Sequence, residues 1–200
     1  TATIKAEDLP AAVVRQIHAL GDVELSRRLA AAWGQLRESP AEKRQQIAVL
    51  AEMLAGADQP AADLAAGRLL FHKTCGSCHR LYGEGGNLGP DLTGSGRHDL
   101  SYLLENIVDP SAVVNRNWRL SLVMLADGRV LSGVILDQNN KTLTLQTLQE
   151  RLTIPVAEVD EISPTDRSPM PDSLLDQLTE QQIRDLIGYL RHPTQVPLPE

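Results

Sequence analysis

Cys75-Gly76-Ser77-Cys78-His79 is the stretch on which the reading of this chain turns. It contains both cysteines of a 200-residue sequence, two positions apart, with a histidine immediately after. Four uses compete. A disulfide across so short a spacing closes a tiny loop and ties nothing distant together. A thioredoxin-like redox pair wants a strand before it and a helix after it. Here a helix is expected before it, and a glycine-rich run follows. A zinc site wants a second ligand pair, so His or carboxylates would have to complete it. The fourth use is covalent c-type haem attachment through the CXXCH pattern. There the two thiols add across the two vinyl groups, and the adjacent His lies under the iron as proximal ligand.

Composition bears on the choice. The sequence is 42% hydrophobic but only 3% aromatic: two Trp, three Tyr and one Phe. A core of Leu, Val, Ile and Ala alone is thin, and a flat apolar group would help to fill it. Nineteen Lys and Arg against 26 Asp and Glu give a net charge of −7. An acidic chain without a basic stripe is a poor nucleic-acid binder, because phosphate neutralisation dominates that affinity. No apolar run approaches the roughly 18–20 residues of a membrane span. Neither a basic, apolar leader nor an initiator Met is present, so a mature form or an excised fragment is expected.

Outward from the cysteines, residues 61–74 read as a helix and 1–57 as a stack of short antiparallel helices. Pro10 starts the first, with His18 near its end and Gly21 closing it. Asp22 can cap a second carrying Leu25, Leu29, Ala32, Trp33 and Leu36. Ser39-Pro40-Ala41-Glu42 reads as a capping box before a face of Ile47, Leu50 and Leu54. Gly56 to Pro60 reads as a linker. After the cysteines, residues 83–96 hold six glycines. No strand is expected before them, which favours a loop folded over a flat ligand rather than a phosphate cradle.

Asp99 can cap a helix bearing Leu100, Leu103, Leu104 and Ile107 that Pro110 ends. After Trp118 the period becomes two. Leu120, Leu122 and Met124 alternate with Ser121, Val123 and Leu125, and Met124 is expected in the core. Asp127-Gly128 and Asn139-Asn140 mark turns between further strands at 130–136, 142–148 and 151–154. Residues 119–162 are thus expected to form an antiparallel unit of four or five strands. Thr179-Glu180-Gln181-Gln182 is a second capping box, before a helix with Ile183, Leu186, Ile187 and Leu190 on one face and Pro193 after its end.

A haem iron held by His79 needs a second axial ligand or an open position. A Met opposite the His raises the potential and suits electron transfer. Met53 reads as helix packing. Met170, in Ser168-Pro169-Met170-Pro171, stands between prolines that can hold a thioether at fixed depth, and it is the expected ligand. His98 is a weaker alternative. Arg97 and Trp118 are candidates to donate to the haem propionates.

These residues resemble a class I cytochrome c over residues 61–118 and 163–192: helix, CXXCH, Gly89-Pro90-Asp91-Leu92, helix, Met-Pro loop, terminal helix. Gly67, Phe71 and Tyr189 match its helix-crossing positions. The run from Gly83 to Gly94, Leu103 to Ser111, Asp127-Gly128-Arg129-Val130 and the Met-Pro loop is further similar to the haem-binding domain of planctomycete and verrucomicrobial multidomain proteins. The fold this implies is mainly α with a β insertion. A class I cytochrome c domain (61–118 and 163–192) would be interrupted by residues 119–162, which resemble an Sm-like barrel, and preceded by a HEAT-repeat-like region (1–57).

The resemblance implies one haem c, bound through Cys75 and Cys78, with His79 and Met170 on the iron. It implies that the carbonyl of Pro90 accepts from His79. The function expected is electron transfer rather than enzymatic turnover, as the C-terminal electron-accepting domain of a larger periplasmic or otherwise exported oxidoreductase. The partner would be a redox protein or a fused dehydrogenase domain, with neither nucleic acid nor a membrane span involved. The strand unit makes a homodimer plausible. The alternative is a haem sensor or peroxidase-like enzyme with an open or labile sixth position.

Overall fold

A computed structural model describes residues 9–56 and 60–198. Most of the expected linker, 57–59, lies outside them. In chain order the elements are α1 (Ala11–His18), α2 (Val23–Trp33), β1 (Gly34–Leu36), α3 (Ala41–Ala55), α4 (Leu64–Thr74), β2 (Arg80–Leu81), β3 (Glu84–Gly85), α5 (Leu100–Val108), β4 (Val113–Asn115), β5 (Ser121–Leu125), β6 (Val130–Gln138), β7 (Thr142–Gln146), β8 (Arg151–Pro155), β9 (Val159–Pro164) and α6 (Glu180–Arg191). Among the described residues there are thus six α-helices and three antiparallel sheets. They group into two compact units. One takes the described residues up to Arg37 with Pro110–Pro171; the other takes Glu38–Asp109 and the described residues from Asp172. The expected limits at 57, 118 and 162 divide the chain differently.

In the first unit, α1 and α2 pack on the β1–β4 ribbon around Val14, Leu29, Trp33, Ala112 and Val113. The Trp33 indole N–H donates to the Leu9 carbonyl at 2.9 Å, satisfying the polar atom of a buried aromatic. Asp22 caps α2 as expected, accepting from the Leu25 N–H at 2.8 Å. Leu36 leaves the helix pattern. Its helix ends at Trp33, because Gly34 (φ +143°) turns the chain into β1, which pairs with Val113–Asn115. Neither ribbon strand is long enough to show a period of two.

The same unit holds a five-stranded sheet of order β8-β7-β6-β5-β9, every neighbouring pair antiparallel. Both expected turns form. Gly128 takes φ +86°, and the Asn139 carboxamide oxygen accepts from the Lys141 and Thr142 N–H groups. The core is Val123, Leu125, Leu143, Leu145 and Ile154. Met124 is therefore not a core residue. It alternates with Val123 and Leu125 and lies on the opposite face with exposed Leu122. The face is set by β5 pairing with β6 and with the unanticipated β9, since a one-residue change of register swaps every side chain.

The second unit is built on two helix pairs, α4 with α6 and α3 with α5. The Asp99 carboxylate accepts from Tyr102 N–H at the start of α5. The capping box of α6 forms with both its bonds, Thr179 to Gln182 and back. The box expected at Ser39–Glu42 does not. Pro40 itself occupies the cap of α3, and it has no side-chain acceptor. Helix α3 buries no residue fully; Ile47, Leu50 and Leu54 are half-buried.

Candidate functional site

Helix α4 delivers the cysteines. The Asp63 carboxylate accepts from Ala65 and Ala66 N–H groups, both at 3.0 Å, and fixes where the helix begins. The Asp63 N–H donates to the buried Asp185 carboxylate of α6 at 2.8 Å. Farther along α4, a Cβ on Gly67 would lie 2.0 Å from the Asp185 carbonyl and 2.8 Å from Tyr189 Cβ. Only a glycine lets the two backbones approach this closely. One turn later the buried rings of Phe71 and Tyr189 meet at 5.8 Å. The three expected crossing residues are therefore together.

Cys75 caps the end of α4, and the chain folds back at once, with the N–H groups of Cys78 and His79 both donating to the Cys75 carbonyl. Both thiols are free and half-buried. Thr74 Oγ lies 3.2 Å from the sulfur of Cys75, whose thiol is pushed up by burial. The following hairpin is turned by Tyr82 (φ +52°) and Gly83 (φ +82°), the left-handed pair that a two-residue β-turn requires.

The glycine run then lies along the cysteine loop. Gly86 N–H donates to the Gly76 carbonyl, Gly89 to Cys78 and Leu92 to Arg80, each at 2.8 Å. A Cβ at Gly85 would stand 2.2 Å from the His79 carbonyl, and one at Gly86 2.1 Å from that of Ser77. At Gly89 it would meet His79 Cε1 at 2.6 Å. What this run approaches is the cysteine loop and the imidazole themselves. Against expectation, the two-residue strand β2 does precede it.

The ring of His79 is fixed on two sides. Gly89 packs on it, and Nδ1 is 2.9 Å from the Pro90 carbonyl. A carbonyl can only accept, so Nδ1 carries the proton. Burial lowers the pKa of His79 despite that bond. The ring is then neutral at pH 7 with its lone pair at Nε2, the form that ligates a metal.

Buried Arg97 donates from Nη1 to the Leu190 and His192 carbonyls, at 2.6 and 2.5 Å, and lies over the Tyr82 ring. Its Nε is buried without an acceptor among the described residues. His98 Nδ1 meets the Arg191 carbonyl at 3.0 Å, and Tyr82 donates its hydroxyl to the His192 carbonyl. The open carbonyls at the end of α6 are thus closed by Tyr82 of the β2–β3 turn and by Arg97 and His98 before α5. The Arg68 guanidinium holds the Glu84 carboxylate at 2.9 and 2.7 Å. No sequence signal marked Tyr82, Arg68 or Glu84, because their partners are distant in the chain. Cys75, Cys78, His79, Pro90 and Arg97 all belong to the second unit. Trp118 and Met170 belong to the first, both half-buried, with the Met170 N–H bonded to Ser168 Oγ at 3.1 Å. Met53 is occupied otherwise: its sulfur accepts from Arg184 at 3.0 Å.

Residues 64–115 match the family model of cytochrome c. The matched stretch runs from the first residue of α4 through the cysteines and His79 to the end of β4. It stops before Trp118, Met170 and α6. The cytochrome c domain is a module of haem-based electron transfer in which the haem is held covalently. A comparison with curated proteins gives no match. The residues present fit the group: two free thiols flank the turn before the histidine, and that histidine is held in the tautomer that leaves Nε2 available. Cytochrome c domains are typically exported. No helix among the described residues is long and apolar enough to cross a membrane.

Proposed function

We propose that this chain is an electron-transfer module carrying one haem c, with His79 and Met170 as axial ligands. The observation that carries the reading is the His79–Pro90 bond beside a pair of free cysteines. When bound, haem supplies a reversible one-electron couple.

The chain's own residues do the rest. Cys75 and Cys78 would anchor the macrocycle as thioethers. Pro90 and Gly89 hold the imidazole plane, and the Pro90 carbonyl keeps the proton on Nδ1 and raises the basicity of Nε2. Met170 would close the sixth position, which excludes substrate and favours a higher potential. The free Nε of Arg97 and the indole of Trp118 are the donors assigned to propionates. The activity fits an exported or periplasmic chain, passing electrons to or from a redox protein or a fused dehydrogenase domain. The resemblance to the haem-binding domain of planctomycete and verrucomicrobial multidomain proteins supports, as part of the same proposal, a place in a larger oxidoreductase.

The test is production in cells able to attach haem c. One haem per chain should survive acidic organic extraction, and the Cys75→Ser, Cys78→Ser double variant should lose it. The reduced protein should not bind carbon monoxide. Avid binding would replace this reading with the open-site sensor or peroxidase.

A further inference from the structure

The segment carrying Met170 is held on both of its sides by side chains distant in sequence, Ser111 and Lys43. Upstream, the Ser168 N–H donates to Ser111 Oγ at 3.1 Å, and Ser168 Oγ in turn accepts from the Met170 N–H. Downstream, the Asp172 carboxylate accepts from Lys43 Nζ at 2.5 Å. The same ammonium donates to the Val108 carbonyl at 2.8 Å, at the end of α5, where a cation also meets the negative pole of the helix. The two fixed points, Val108 and Ser111, lie on either side of the place where the chain passes from one unit to the other. Met170 stands just before it passes back, at Pro171. A thioether is a weak ligand, and its hold on a metal depends on the loop that presents it.

We infer that Lys43, through Asp172, and Ser111, through Ser168, are positioning residues that keep Met170 in place as sixth ligand. This rests on the axial assignment above. The Lys43 side chain is 23% exposed and that of Asp172 62%. An exposed carboxylate such as that of Asp172 adds little to global stability through its ion pair. Its removal therefore separates positioning from folding: ligand exchange changes while the melting temperature barely does.

The experiment titrates the ferric haem-loaded protein with imidazole, which competes for the sixth position. Lys43→Met and Asp172→Asn should each raise imidazole affinity about tenfold, and the double variant no more than Lys43→Met, which removes the Asp172 pair together with the Val108 bond. Ser111→Ala should act in the same direction. Lys43→Arg should stay near wild type. Loss of the exposed Arg27–Glu24 pair of α2 in Arg27→Ala should change nothing. Affinities of Lys43→Met and Asp172→Asn within twofold of wild type, while Met170→Ala binds imidazole far more tightly, would overturn the inference and leave the axial assignment standing. Equal affinity in wild type and Met170→Ala would overturn the axial assignment and this inference with it.

Discussion

The imidazole of His79 is the residue on which the chemistry depends, and its immediate surroundings are two backbone features. Pro90 supplies an acceptor at 2.9 Å, and Gly89 supplies an absence of side chain. Gly89→Ala would force a methyl to 2.6 Å from Cε1. We expect it to turn the ring off the Pro90 carbonyl, make Nε2 a weaker donor and raise the reduction potential, measured by potentiometric titration of the haem-loaded protein. An unchanged potential would remove Gly89 from the account. Glu84 allows a pH test at the same scale. The Arg68 hydrogen bond, then the charges of Arg68 and His72, hold its carboxyl below the ordinary value of 4.5. A depressed folded pKa means that the stabilisation is present above 4.5 and is lost as pH falls through the lower folded value. Glu84→Gln should thus be less stable than wild type at pH 7, with the difference closing below pH 4.5, as read by denaturant melts across pH. The Cys pair and His79 were legible in the sequence because their spacing is local, whereas Pro90 and Gly67 were legible only through the family resemblance. Arg68, Glu84 and Tyr82 were not, since each is defined by a partner that only the fold brings near.

The crossing of α4 and α6 is the element-scale feature that places the cysteines. Gly67→Ala has no room, with the Asp185 carbonyl 2.0 Å away, so the helices must part. Overpacking of this kind costs about 1–3 kcal/mol, and thermal unfolding should show it. A loss below about 0.5 kcal/mol would mean that the crossing relaxes freely. Helix starts were readable at Asp22, Asp99 and Thr179, where a side chain supplies the acceptor, but the pattern puts the start of α4 at 61 although Asp63 caps it at Leu64. The signal failed at Ser39, where the proline of the motif took the cap itself. Strands were readable as a group but not in their facing. Alternation shows that β5 has two faces; the register with β6 and β9 makes Val123 rather than Met124 the inward one. The short strands β1 and β4 gave no period at all.

At the scale of the molecule, charge is divided unevenly. Glu38–Asp109 with Asp172–Glu200 holds 15 of the 26 acidic residues and 8 of the 19 basic ones. The other unit holds 11 of each. The whole net charge of −7 thus belongs to the unit with the cysteines. A field of that sign would steer a cationic redox partner, a proposal that salt dependence tests. Oxidation of the reduced protein by a small cationic complex should slow as salt is added, and oxidation by an anionic one should speed up. Insensitivity of both rates would mean that the unit's charge does not reach the electron-exchange site. The division into units also explains what the sequence concealed. Residues 1–57 all read as consecutive helices, but α1 and α2 pack on the β1–β4 ribbon while α3 packs with α5. The central proposal is the assignment of His79 and Met170 as axial ligands. Its direct test is the optical spectrum of the ferric, haem-loaded protein. The account predicts the weak red charge-transfer band of methionine sulfur on ferric iron, lost in Met170→Ala and retained in Met53→Ala and Met124→Ala. A spectrum without that band, or a band that survives in Met170→Ala, would contradict it.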